Sequence, residues 1–246
     1  MVSPNYWSGK LVDAMPRSSG ILPLSVALRR RMSVASGGLF LAVIVLAVVL
    51  HHGVDGAWAV ADRSWLALMV DARQPVPLSL AYAFNEVGAG LWGAVIIPSV
   101  SVCVVFLVRG PRSAGYLVTV MILATLVTQL LKRVVARPRP EGMLVTSDFG
   151  SFPSGHSVQA VVWVVALGLL FPYVGVWVAG ALYALAMMWS RTYLGVHWLT
   201  DVLGAAALGC AVALACYAGY GRWLRNERRP RVSTSHAYRT RHRRCP

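Results

Sequence analysis

Charge is what this chain has least of. Of its 246 residues, 13% are Asp, Glu, Lys or Arg, against about 25% in a typical soluble domain. Acids are scarcer still, nine against 23 Lys and Arg. Four cysteines are too few for a disulfide-rich scaffold, and no two of them stand at metal-ligand spacing. Cys103, Cys210 and Cys216 lie in apolar stretches, and Cys245 is next to the end. A disordered chain is excluded, because it would need low hydrophobicity. Here 57% of residues are apolar and the mean hydropathy is +0.61. One soluble core cannot bury that much apolar surface, so the composition points to an integral membrane protein.

Crossing a bilayer takes about 17 to 25 apolar residues. Six runs come near that length, at 34–50, 92–108, 114–131, 157–171, 173–189 and 199–218. The expected fold is all-α, a six-span transmembrane bundle. The first run is not read as a signal peptide, although Ala57-Trp58-Ala59 resembles a cleavage site, because it starts too late and runs too long. With both termini cytoplasmic, 16 of the 23 Lys and Arg fall inside, as the positive-inside rule requires. The expected division is a cytoplasmic segment 1–33, a membrane body 34–218 and a basic cytoplasmic tail 219–246. The tail carries nine Arg from Arg222 on; it is expected to be mobile, and it reads first as a plain topology anchor and second as a contact for anionic lipid headgroups. No nucleic acid is needed to explain the net charge of +14. The stretch 51–91 mixes Trp58 and Trp65 with Asp62, Asp71 and Glu86. It reads equally as interfacial helices gating a lipid-facing cleft and as an ordinary outer loop.

Seven cations remain outside in this orientation, and five of them belong to two polar clusters. The first is Lys132-Arg133-Val134-Val135-Ala136-Arg137-Pro138-Arg139-Pro140. The prolines end the preceding helix. That leaves Lys132 in the last turn and Arg139 on the extended piece beyond, placed to converge on one anion, and the planar fork of Arg suits phosphate. A second cluster, Phe152-Pro153-Ser154-Gly155-His156-Ser157, turns into an apolar helix whose N-terminus favours an anion. Ser154 either caps that helix or binds phosphate, and Gly155 permits close backbone approach. His156 projects from the first turn; alone, it reads equally as incidental. The third cluster runs from Ser190-Arg191 to His197 and Asp201. His197 and Asp201, four apart, share a face if helical, and Asp201 could then hold the imidazole tautomer and stabilise its cation. Such a pair alone is structural as readily as functional, and no further ligands stand at spacing suggestive of a metal site.

Together the clusters suit one reaction. Lys132, Arg139, Arg191 and a helix N-terminus would hold a phosphoryl group while one histidine attacks phosphorus and the other protonates the leaving oxygen. Phosphoryl transfer is mostly positioning and charge neutralisation. Fixed cations could take the place of Mg²⁺, so neither metal nor other cofactor is expected.

Lys132-x6-Arg139-Pro140, then Pro153-Ser154-Gly155-His156, then Ser190-Arg191-x5-His197-x3-Asp201 resembles the three-part signature of the type 2 phosphatidic-acid phosphatase superfamily, at every defining position. The resemblance implies that His197 is the nucleophile forming a phosphohistidine, that Asp201 orients it and that His156 is the general acid. It implies phosphate binding by Lys132, Arg139, Arg191, Ser154 and the Gly155 backbone. Arg137 lies outside the pattern and is expected to contact a second phosphate. The expected substrate is a polyprenyl diphosphate, hydrolysed to the monophosphate at an extracytoplasmic site. Phosphatidylglycerophosphate or phosphatidate hydrolysis, or transfer to an acceptor, are the alternatives. All three motifs sit in one chain, so a monomer should suffice.

Overall fold

The computed structural model describes residues 25–53, 56–225 and 227. Most of the expected cytoplasmic segment, Cys245 and most of the basic tail lie outside the described residues. Eight helices follow one another, with no strand among the described residues: α1 (Val26–His51), α2 (Ala57–Asp71), α3 (Pro75–Gly88), α4 (a π turn, Trp92–Ile96, running into Ile97–Val108), α5 (Pro111–Val135), α6 (Gly155–Leu170), α7 (Val174–Tyr193) and α8 (Leu199–Arg225).

Local chemistry sets the helix ends. Ser25 caps α1, its hydroxyl accepting from the Leu28 N–H at 3.1 Å. Pro111 opens α5, where a missing N–H costs nothing, and Glu227 takes up the N–H groups of Arg112 and Ser113. At its other end α5 is closed by Ala136 in the left-handed conformation (φ 49°). Pro138 and Pro140 then prevent any resumption.

Helices α1, α5, α7 and α8 are long and apolar enough to cross a membrane. Helices α3 and α4 reach that length only as a pair, bent by 49°, and α6 is a shorter apolar helix of 16 residues. The six apolar runs therefore map onto α1, α4, α5, α6, α7 and α8, four of which suffice individually. The chain is an all-helical, multi-pass membrane protein.

Helix α8 packs against α1, α2, α5 and α6, and α6 lies between α5, α7 and α8. The core runs through Val120 and Ala124 of α5, Val158, Val162 and Ala166 of α6, and Ala205, Leu208 and Val212 of α8. Small residues let the backbones close up. At Gly209 of α8 an added Cβ would come within 3.0 Å of the Val158 carbonyl and the Val161 side chain. The outer faces expose Leu41, Ile44 and Val48 on α1 and Val178, Leu182 and Leu185 on α7. Helices apolar on both faces suit a lipid surround.

The stretch between α1 and α4 forms two short helices that dock on α7 and α8. Tyr193, at the end of α7, holds the turn between them: its hydroxyl donates to the Ala72 carbonyl at 2.8 Å and accepts from the Gln74 N–H at 2.9 Å. The three polar clusters meet at one end of the bundle, at the C-termini of α5 and α7 and the N-termini of α6 and α8.

Candidate active site

Lys132 and Arg139 converge as their spacing predicts. Lys132 Nζ lies 2.8 Å and Arg139 Nη2 2.7 Å from the same oxygen, Oδ1 of Asp148. Both cations also donate to the Gly150 carbonyl, at 3.1 and 2.9 Å. Gly150 can approach so closely because it has no Cβ; one would stand 2.9 Å from the Lys132 carbonyl, at a φ of +73°. Burial lowers the pKa of Arg139, partly offset by Asp148. Burial by itself would raise the Asp148 carboxyl, but the hydrogen bond and charge of Lys132, then the charges of Arg139 and His197, hold it below its ordinary value.

Arg139 also reaches the third cluster. Its Nη1 donates to the Val196 carbonyl at 2.7 Å and sits 3.3 Å from His197 Nε2. The ring nitrogen facing the anion position thus has a guanidinium beside it. His197 lies in the turn before α8 rather than on the helix. Asp201 still meets it: His197 Nδ1 is 3.5 Å from Asp201 Oδ2, ion-pair reach without a completed hydrogen bond. The same Oδ2 accepts from the Trp198 N–H at 2.9 Å, which ties the carboxylate to the turn. Burial lowers the His197 pKa to about 4, against the opposing pull of Asp201 and with the help of Arg139 and Arg191. Burial therefore favours the neutral imidazole.

His156 stands in the first turn of α6, its Nε2 buried without a hydrogen-bond partner. Ser154 occupies the N-cap position, but its Oγ accepts from Ser157 Oγ at 3.0 Å and caps no backbone N–H. Arg191 is 1% exposed and donates to Asn85 Oδ1 of α3 at 2.7 Å. A cavity of about 710 Å³ is lined by Lys132, Asp148, His156, His197 and the Gly155 backbone, with Pro98, Met121, Ile122 and Leu126 forming an apolar wall. One polar end and one apolar wall suit an amphiphile with a phosphate head. Among the described residues no three His, Cys, Asp or Glu side chains are grouped to hold a metal ion.

Arg137 is placed elsewhere. Its guanidinium is 8% exposed and spent on two carboxylates, Asp201 at 2.5 Å and Asp62 at 2.6 Å, with Thr200 Oγ1 at 2.8 Å. It lies between the rings of Trp58 and Trp198, at 5.5 and 5.4 Å. Three of its five N–H donors are thus taken by partners within the protein.

Sequence reasoning passed over Asp148, Asn85 and Gly88, and read Asp62 only as one residue of the 51–91 stretch, open between interfacial helices and an outer loop. The signal was rarity: with nine acids in the chain, each one beside an apolar run is a candidate. Gly88 matters by closeness, since a Cβ there would stand 2.4 Å from the His156 ring.

Residues 113–225 match the family model described as the PAP2 superfamily. Phosphatidylglycerophosphatase B of Bacillus subtilis is 30% identical over 183 residues, covering 70% of this chain and 87% of that protein. Lipid A 1-phosphatase of Rhizobium etli is 34% identical over 120 residues, 44% of this chain and 50% of that one. Undecaprenyl-diphosphatase of Sulfolobus acidocaldarius is 31% identical over 124 residues, 47% and 58% respectively. Among solved structures, the transmembrane PAP2 type phosphatidylglycerolphosphate phosphatase from Bacillus subtilis superposes with a TM-score of 0.67 at 27% identity, covering 78% of this chain and 98% of that one.

Proposed function

The chain belongs to the PAP2 superfamily of membrane lipid phosphatases, and on that premise we propose that His197 attacks the phosphorus of a lipid phosphate held by Lys132, Arg139 and Arg191. The observation that carries this reading is the convergence of Lys132 and Arg139 on one carboxylate oxygen beside His197 Nε2. Asp148 marks there the place of a phosphate oxygen. A bond forms from Nε2 to phosphorus as the bond to the lipid oxygen breaks. His156, which gains a proton beside a phosphate dianion, delivers it to that oxygen. Asp201 stabilises the imidazolium character of His197. Water then attacks the phosphohistidine with His156 as base, which releases phosphate. The N-terminal N–H groups of α6, with Ser154 and Gly155, complete the cradle.

Two substrate classes compete. A polyprenyl diphosphate has the kinship with undecaprenyl-diphosphatase in its favour. A glycerolipid phosphomonoester such as phosphatidylglycerophosphate is favoured by a specific observation: Arg137, the residue expected to hold a second phosphate, is bound to Asp62 and Asp201 instead. The cavity beyond His156 also offers the neutral polar groups of Thr128 and Gln159, which suit glycerol and ester oxygens better than an all-carbon prenyl chain. We therefore take the glycerolipid monoester as the preferred substrate. Phosphate release by detergent-purified protein from phosphatidylglycerophosphate, phosphatidate and a polyprenyl diphosphate tests the choice. Preference for the diphosphate would reverse it, and a phosphorylated acceptor in place of free phosphate would make the protein a transferase.

The same proposal places six spans in the membrane, with α3–α4 as one broken crossing and α6 as a short one. Both termini then face the cytoplasm and the site opens outward. The 16 of 23 cations that fall inside support this orientation. Membrane-impermeant labelling of single cysteines introduced at Ser147 and Arg112, both exposed, would check it; labelling at Arg112 from outside would invert the topology.

A further inference from the structure

Arg137 and Asp62 have no place in the phosphate cradle, yet both are deeply buried: Arg137 is bonded to Asp201, the residue that faces His197, and Asp62 is bonded to Arg137. Asp62 is 2% exposed. Its Oδ1 accepts from the Thr200 N–H at 2.8 Å, and its Oδ2 from the Thr200 hydroxyl and from Arg137 Nη2, both at 2.6 Å. Arg137 Nη1 donates to Asp201 Oδ1 at 2.5 Å. Asp201 therefore uses one oxygen for Arg137 and the other for the Trp198 N–H and His197 Nδ1. The order Asp62, Arg137, Asp201, His197 is a single chain of contacts starting on α2 and ending at the ring whose other nitrogen faces the cavity.

We propose that Asp62 and Arg137 are positioning residues that set the orientation and basicity of the His197–Asp201 pair, an assignment that rests on His197 being the nucleophile. The charge balance carries it. Asp201 with Arg137 alone would form a neutral pair, with little net field left to favour an imidazolium. Asp62 restores one net negative charge to the group, so the carboxylate facing His197 keeps its effect. A buried ion triplet is costly to desolvate and is weak evidence for stability, and docking α2 would need no third charge. The two indole faces around Arg137 hold the guanidinium in plane and keep water out.

The other charged or titratable groups around the two histidines are Arg139 and Asp148 on the segment between α5 and α6, Lys132 on α5, His156 on α6 and Arg191 on α7. None changes in the variants below, so differences among them report the relay. Full-length protein labelled with ¹⁵N-histidine would be titrated by NMR in detergent, with the His197 signal assigned by its loss in His197→Ala. Removing Asp62 leaves Arg137 uncompensated and should lower the His197 pKa by about one unit in Asp62→Asn, while Arg137→Gln should raise it by about one unit. The double variant, which loses one charge of each sign, should return to the wild-type value. Asp62→Asn should also cut kcat about tenfold with KM within twofold, because neither residue touches substrate.

Opposite shifts that cancel in the double variant are not produced by a merely structural role. Unchanged His197 titration in all three variants would overturn the proposal, as would shifts of the same sign. Should a single variant fail to fold, the charge-conserving Asp62→Glu and Arg137→Lys supply the second test: the His197 pKa should stay at its wild-type value while kcat falls through lost geometry, and a shifted pKa would overturn the relay. Phosphate release by the wild type, absent in His197→Ala, is read separately. A protein that releases no phosphate but shows the cancelling shifts would refute the phosphatase mechanism and keep the relay.

Discussion

Two regions build this site in different ways. The ends of α5, α6, α7 and α8 supply the cations, both histidines and Asp201, on segments where polar residues interrupt long apolar runs. The pair α2–α3 supplies no group that faces phosphorus. It contributes Asp62 against Arg137, Asn85 against Arg191, and the bare backbone of Gly88 against His156. In the proposed mechanism one region holds the reacting groups, and the other holds those groups still. A buried Arg or His has several rotamers open to it, and only a partner from another element selects one.

The sharpest test of this division is to remove a reacting group. His197→Ala should lower kcat by about a thousandfold or more while leaving protein yield and detergent monodispersity intact; retained turnover would move the nucleophile elsewhere. Next comes Gly88→Ala, which puts a methyl 2.4 Å from the His156 ring and 2.9 Å from the Met187 methyl. A displacement of that order should cost about a hundredfold in kcat. Wild-type kcat would show that α3 is a passive wall.

A smaller loss is expected from Asn85→Ala. It leaves Arg191 Nη1 without its partner, and kcat/KM should fall about tenfold, mostly through KM, as the charged donor loses its aim. The smallest effect has the opposite sign. Asp148, half exposed, occupies Lys132 and Arg139, so an incoming phosphate must displace it. Asp148→Asn should lower KM for the lipid phosphate about threefold and tighten inhibition by inorganic phosphate, in keeping with the modest worth of an exposed ion pair. A raised KM would mean that Asp148 holds the cations in place for substrate rather than competing with it.

The motif-bearing ends were legible in the sequence for a physical reason. A cation, a histidine or a proline next to twenty apolar residues is costly in a membrane, so its presence marks either an end or a site. Lys132, Arg139, His156, Arg191, His197 and Asp201 all stand out that way, and the structure brings them to one end of the bundle. Arg137 stood out equally, and only its surroundings separate it from Arg139. The two lie two residues apart on a proline-rich stretch that is not helical, where neighbouring side chains point in different directions. Arg139 turns to Asp148 and His197, Arg137 to Asp62 and Asp201. The stretch 51–91 left two readings open because α2 and α3 are short and carry polar groups. Their docking, through Tyr193 and Asp62, is a long-range contact that no local pattern announces.

From the sequence alone follow the membrane class, the helical architecture, the superfamily signature and the candidate phosphate-binding and histidine groups, because each rests on local composition or fixed spacing. The tertiary structure alone decided which carboxylate meets which cation. It paired Arg137 with Asp62 across 75 residues, Arg191 with Asn85 across 106, and put Asp148 against Lys132 and Arg139. Buried charges must find partners wherever the packing of the helices brings them, and that packing is a property of the whole bundle rather than of any segment.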